Sequence, residues 1–250
     1  MAQPTGANDL AEAVATACRV MATAGLVEHV LGHISARVSA GELLVRCRGP
    51  EESGLAYTTV DDIRLVSLDG SGDLGDRTAP NELPIHTEVM RRRADVSAVV
   101  HAHPPAVVNL SLVGAEFAPI YGAYDIPGAR LAAGGIPVWP RSVLITDATL
   151  AGAMVDALGT RPVVVLRGHG LLSVADGPPA TAVARAVLQA VAVDTLARTT
   201  LAVLSAGGDP RRIDDADLAG LPDLGGAFNV DTMWRHLVRR THEIAAQRDA

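Results

Sequence analysis

Two imidazoles one residue apart close an apolar run: His101 and His103 in "ADVSAVVHAHPPAVV". A strand turns residues i and i+2 to the same face, so this run would present both rings side by side. Paired neutral imidazoles suit a divalent ion such as Zn, Mn, Fe or Co. The same pair could instead sit in a packed core, where each buried ring needs a polar partner. Spacing alone leaves the two readings level. A third ligand is offered by "LRGHGLLS", where the glycines flanking His169 permit a tight turn and close approach. Glu82 follows a long Gly-, Asp- and Pro-rich loop and opens the helix-like "NELPIHTEV". A carboxylate there either complements the helix dipole or serves as a general acid/base. His86 lies four residues on and shares the same helical face; it either orients Glu82 or packs beneath it, and packing is the expectation. His236 and His242 lie in a polar C-terminal helix and read as structural or interfacial.

The elements that must position these groups can be read along the chain. Residues 8–25 form a helical pattern, with Asn8 as cap and Gly25 as stop. "HISARV" and "ELLVRC" suggest a hairpin, and "IRLVSL" a further strand. Pro84 suits the first turn of a helix running to about Arg93. "VSAVVHAH" reads as a buried strand that Pro104 and Pro105 stop, with a short helix after it. Residues 134–140, with paired glycines and Pro137 and Pro140, read as an irregular crossing. Asp147 should cap a helix that Gly159 ends, and "RPVVVLRGHGLLSV" reads as two buried strands around a Gly-His-Gly turn. A long Ala/Val/Leu helix over 179–206 and an amphipathic one over 231–247 follow. The fold class expected is α/β in three layers, α/β/α, with a central mixed, mostly antiparallel sheet flanked by helices. A single domain over residues 1–250 is expected, with its core at about 10–204 and a helical tail at 205–250.

Composition narrows the function. A net charge of −7 argues against nucleic acid as partner. The basic run Arg91-Arg92-Arg93 reads as a solvated last helical turn opposing the dipole. Cys18 and Cys47 form no CxxC, which suits a reducing, cytoplasmic setting. The first residues lack the pattern of a secretory signal, and no uncharged apolar run approaches the ~18 residues a membrane helix needs. No GxGxxG or GxxxxGK[ST] pattern follows a strand, so a nucleotide fold has no support.

Taken in order, "GHISARV", "NELPIHTEVMRRRADVSAVVHAHPPAVV" and "LRGHGLL" resemble the class II aldolase/adducin family, over roughly Leu10 to Leu204. The resemblance implies a divalent metal held by His101, His103 and His169, with Glu82 as acid/base. It also implies a homotetramer with sites between subunits, where a tyrosine such as Tyr121 or Tyr124 can reach a neighbour's site. The sugar-phosphate members bind phosphate with GN-x-S, a T-P-S-G-like turn and S-S-E. Here the matching stretches read Gly32-His33-Ile34-Ser35, Tyr57-Thr58-Thr59-Val60 and Pro80-Asn81-Glu82, so the phosphate cradle is dismantled. A small, non-phosphorylated, carboxylate-bearing substrate is therefore expected. His33, Ser35, Arg37, Arg48, Thr58, Asn81, Tyr121 and Tyr124 are the candidate substrate-binding residues. Arg46 lies near the same region, and arginine forks suit carboxylates.

"GPEESGLAYTT" and "PIYGAYDIPGARLAAGGIPVWPRS" are similar to the family's decarboxylase branch, which acts on hydroxylated aromatic or pyridine dicarboxylates. The resemblance thus implies a metal-dependent lyase that decarboxylates such a substrate through a metal-stabilised oxyanion. A class II aldolase cleaving a small hydroxy carbonyl needs almost the same apparatus and is the alternative. An iron oxygenase and an adducin-like interaction module are the remaining readings; retention of all three histidines with Glu82 speaks against the last.

Overall fold

The computed structural model describes residues 5–248. The first helix, α1 (Thr5–Thr23), begins before the expected cap, so Asn8 lies inside its first turn. Its buried stripe includes Val14, Cys18 and Met21. Gly25 follows with φ +74, the left-handed conformation that glycine adopts most cheaply. The expected hairpin forms from β1 (His33–Arg37) and β2 (Glu42–Arg46), and β3 (Ile63–Ser67) pairs with β2. After the long loop come α2 (Leu83–Arg92), with Pro84 in its first turn, and β4 (Val96–Ala102). Residues 105–158 supply α3 (Pro105–Val113), α4 (Ile126–Ala133), β5 (Val138–Trp139) and α5 (Ala148–Leu158). The Asp147 carboxylate accepts from Leu150 N at 2.8 Å and Gly159 ends α5, as the sequence indicates. Next are β6 (Val163–Leu166), β7 (Gly170–Asp176) and α6 (Pro179–Ser205). The tail carries α7 (Asp215–Gly220) and, after a π-helical turn at Ala227–Thr232, α8 (Met233–Arg248).

The strands form one seven-stranded sheet in the order β3-β2-β1-β4-β7-β6-β5. Every pairing is antiparallel except β5 with β6. The mixed, mostly antiparallel sheet is therefore as expected. Its single parallel pair arises from β5, two residues inside the stretch that reads as irregular. Strand alternation divides the core in two. Ile34, Leu44, Val100 and Leu171 face α1, α3 and α6, whereas Val45, Val99, Val164 and Leu172 face α2 and α5.

α6 departs from the membrane expectation in one respect: by length and composition alone it is long and apolar enough to cross a bilayer. It is apolar because it packs along the sheet, burying Ala182, Val183, Ala186, Val187, Ala190 and Val193 against β4 and β7. α8 returns to α1, where the Thr23 and Thr241 hydroxyls lie 2.6 Å apart. His236 and His242 lie on this helix, far along the chain from the paired imidazoles. Both cysteines are buried and free, and burial pushes the Cys18 thiol up to about 12 and that of Cys47 up to about 11. The basic run ends α2, where Arg92 bonds Asp156 at 2.5 Å and Arg93 bonds Asp95 at 2.6 Å.

Candidate metal centre and active site

Three adjacent strands deliver side chains to one end of the sheet. β1 begins there with His33, which stands opposite His101 in the β1–β4 register. Directly opposed residues share a face, so the two rings meet, with centroids 4.9 Å apart. His103 follows β4, and Pro104 then breaks the ladder so that the ring swings toward its neighbour. The Nε2 atoms of His101 and His103 lie 2.8 Å apart. The tight turn between β6 and β7 brings in His169. Gly168 there has φ +65, and a Cβ on Gly170 would lie 2.2 Å from the Ala102 carbonyl oxygen and 2.8 Å from His103 Cδ2. Glycine at 170 is thus what lets the two histidine-bearing segments touch. Glu82, immediately before α2, completes the group: its Oε2 is 3.4 Å from His101 Nε2 and 3.5 Å from His169 Nε2. Its other oxygen accepts from Ile145 N at 2.8 Å, which fixes the carboxylate.

The donor atoms of Glu82, His101, His103 and His169 all lie within 4.8 Å of one another. Donors bound tetrahedrally at zinc–nitrogen bond lengths stand about 3.3 Å apart, so a cluster of this size fits a divalent ion. Tautomer chemistry agrees. His101 Nδ1 is 3.0 Å from the Leu171 carbonyl, which can only accept, so the proton sits on Nδ1. Its Nε2 lone pair then points into the cluster, the arrangement metal-bound imidazoles use. Burial, reinforced by His101 and His169, pushes His103 down to about 3, so its ring stays neutral and ligand-ready at neutral pH. Burial alone would raise the Glu82 carboxyl. The His101 and His169 rings beside it and the Ile145 N–H instead hold it well below the usual carboxylate range.

Behind the cluster runs a second buried chain. His33 Nδ1 lies 2.6 Å from His86 Nε2, and His86 Nδ1 lies 2.7 Å from Ser35 Oγ. His33 Nε2 is 3.9 Å from Glu82 Oε2. His86 therefore packs beneath the site, as expected, but it also holds His33 by hydrogen bond. Ser35, a candidate for substrate contact, is spent on His86 and fully buried.

A cleft of about 120 Å³ opens over these groups, lined by Val30, Leu31, Gly32, His33, Arg46, Arg48, Pro80, Asn81, Glu82, His103 and Leu144. His33, Arg48 and Asn81, all candidates for substrate contact, line this cleft. Arg37 does not. It stands at the far end of β1, four residues and roughly 13 Å of strand from His33. Its guanidinium donates to the carbonyls of Val96, Met90 and Arg93 at 2.7, 2.8 and 3.1 Å, so it has no fork left for a substrate. Thr58 is also absent from the cleft. Residues 55–62 fold back as two short 3-10 turns beside α1, where the Thr58 carbonyl accepts from Arg19 at 2.7 Å. The chain that enters the cleft instead is the extension of β2, carrying Arg46 and Arg48. Within this chain Tyr121 and Tyr124 meet edge to face, with centroids 5.3 Å apart, outside the cleft lining. Arg46, which the sequence places near this region beside Arg48, lines the cleft as well.

Known proteins resemble this chain. The model of the class II aldolase and adducin N-terminal domain matches residues 12–201. A 3,4-dihydroxyphthalate decarboxylase of Arthrobacter keyseri is 57% identical over 234 residues, 92% of each chain. Another of that name from Rhodococcus jostii is 53% identical, over 91% of this chain and 93% of its own. Among solved structures, an aldolase II superfamily protein from Pseudomonas syringae superposes with a TM-score of 0.80 at 21% identity, covering 96% of this chain and 95% of its own. Matched across its sheet and its histidine motifs alike, the chain belongs to the class II aldolase and adducin N-terminal domain family.

Proposed function

We propose that this protein is a metal-dependent lyase that decarboxylates a hydroxylated aromatic dicarboxylate of the 3,4-dihydroxyphthalate kind. The observation that carries the reading is 57% identity to a decarboxylase of that name over 92% of both chains. The site chemistry supports it. His101, His103 and His169 would hold the divalent ion, whether Zn, Mn, Fe or Co. When bound, that ion supplies Lewis-acid stabilisation to charge developing on substrate oxygen. Val30, Leu31 and Leu144 are partly exposed apolar side chains at the cleft and offer a surface for an aromatic ring.

Glu82 has two tasks. Held ionised and pinned by Ile145 N, it first takes the proton of the ring hydroxyl beside the leaving carboxylate. Glu82 returns that proton to the ring carbon that bears the leaving carboxylate, giving a dienone. The bond to the carboxylate then breaks, its electron pair passes through the ring to the former hydroxyl oxygen as CO₂ departs, and water reprotonates that oxygen. His33, fixed by His86, lies beside Glu82 and would orient the substrate.

One domain over residues 1–250, with the core at about 10–204 and a helical tail, belongs to this reading. So do a homotetramer, a small-molecule partner and a cytoplasmic setting. Exposed Leu112, Val113, Tyr124 and Phe228 offer apolar surface for assembly. The test is CO₂ release from 3,4-dihydroxyphthalate under anaerobic conditions, with and without chelator. We expect turnover that chelation abolishes and metal restores. A need for O₂, or efficient cleavage of a sugar phosphate without decarboxylation, would overturn it.

A further inference from the structure

The end of β2 places two arginines in the cleft whose N–H donors the protein itself does not use up, although Arg46 is ion-paired with Glu52. Arg46 is 4% exposed. Of the five N–H groups of its guanidinium, one Nη donates to Glu52, and its Nε is buried without a hydrogen-bond partner among the described residues. Leaving such a donor unmet costs free energy, which a ligand anion can recover by reorganising the fork. Glu52 is itself held, since its carboxylate also accepts from Gly54 N at 2.7 Å. Gly54 has φ +96, and a Cβ there would lie 2.8 Å from the His29 carbonyl, so the loop that carries Glu52 is tightly seated. Arg48 is half-buried, and its side chain makes no hydrogen bond or ion pair among the described residues. Its backbone is nevertheless fixed, exchanging hydrogen bonds with Thr78 at 2.9 and 2.8 Å.

We propose that Arg46 and Arg48 anchor the carboxylate that the substrate keeps, and so decide which carboxylate is lost. This rests on the decarboxylase reading above for its substrate, but not for its anion chemistry. Planar forks match a carboxylate in two-point fashion, and Val30, Leu31 and Leu144 flank the cleft with apolar surface suited to a ring. With the retained group held by the arginines, the neighbouring carboxylate and hydroxyl are turned toward Glu82 and the histidines. Glu52 is a positioning residue: it acts through Arg46, with no contact to substrate required.

The test separates binding from turnover. Affinities of 3,4-dihydroxybenzoate, which bears only the retained carboxylate, and of catechol, which bears none, are measured by calorimetry on the metal-loaded enzyme. Wild type should bind the acid about 10- to 100-fold more tightly. Arg48→Gln, at a half-exposed position, and Arg46→Lys, which keeps the charge and loses the fork, should erase most of that ratio with catechol affinity within about twofold. Equal loss for both ligands, or an unchanged ratio in both variants, would overturn the anchor. So would inorganic phosphate competing as well as benzoate. If the ratio collapses as expected but wild type releases no CO₂, the decarboxylase reading and the choice of carboxylate fail, while carboxylate binding by the two arginines stands. If CO₂ is released while the ratio survives, the anchor fails alone.

Discussion

Gly170→Ala tests the geometry of the metal centre without replacing a ligand, though the new methyl also meets His103 Cδ2 at 2.8 Å. The new methyl would lie 2.2 Å from the Ala102 carbonyl oxygen and 3.2 Å from its carbon, both backbone atoms at the end of β4. Ordinary contact begins near 3.4 Å, so β7 and β4 must separate by about 1 Å at this point. Ala102 pairs with Leu171 in the ladder, and no flexible side chain can absorb the move. Overpacking of this kind costs about 1–3 kcal/mol. The consequence for the metal is larger in proportion. Ligand distances tolerate about 0.2 Å, while this displacement carries His169 away from His101 and His103. A fall in metal affinity of about 100-fold is expected, with urea unfolding of the chelated protein showing the stability loss directly. Gly220→Ala is the control, since a methyl there meets nothing within 4 Å. Should Gly170→Ala stay within about 0.5 kcal/mol of wild type and keep its metal affinity, the close approach described for the two histidine segments is wrong.

Three further outcomes follow from the site. His101→Ala should lose both metal and turnover, measured by elemental analysis and CO₂ release. Glu82→Gln should keep the fold and the metal but lose turnover by about 10²- to 10⁴-fold; near-normal rates would remove Glu82 from the chemistry. Burial, reinforced by the neighbouring His101 ring, pushes His86 down to about 3, so the folded protein refuses a proton that the unfolded chain accepts near pH 6.5. Unfolded chains then bind more protons between those values, and stability falls as pH drops through that window, by on the order of 2 kcal/mol down to about pH 5. In chelated protein, His86→Gln should flatten the pH dependence of urea stability by about that amount, and an unchanged slope would show that His86 is not the group responsible.

What could be read from the sequence was what depends on neighbours in the chain. The His-x-His spacing at the end of an apolar run, the Gly-His-Gly turn and the Asp147 cap are local signals, and each element formed as read. α4 was missed although Asp125 and Pro127 mark its start, because paired glycines and prolines just beyond it suggested irregular chain. The cleft was less legible, because reach and pairing are tertiary matters. Ser35 and Arg37 share β1 with His33, yet one is consumed by His86 and the other points to the opposite end of the sheet. Residue type alone matches Thr58 to a phosphate-binding turn. Two short 3-10 turns fold it against α1, leaving the cleft to Arg46 and Arg48. No local pattern announces whether an arginine's donors are already spent.

Arg37 nevertheless bears on the chemistry from a distance. By tying the carbonyls of Met90 and Arg93 to that of Val96, it clamps the corner where α2 ends and β4 begins. β4 has its irregularity in that same first stretch, between Val96 and Ala98, where its pairing with β7 shifts. A strand that slips by one residue turns every side chain to the opposite face. Such a slip would send His101 into the α1 and α6 layer and bring Ala102 to the cluster. Arg37 thus stands at the corner where the phase of β4 begins, upstream of the alternation that turns His101 rather than Ala102 to the histidine cluster.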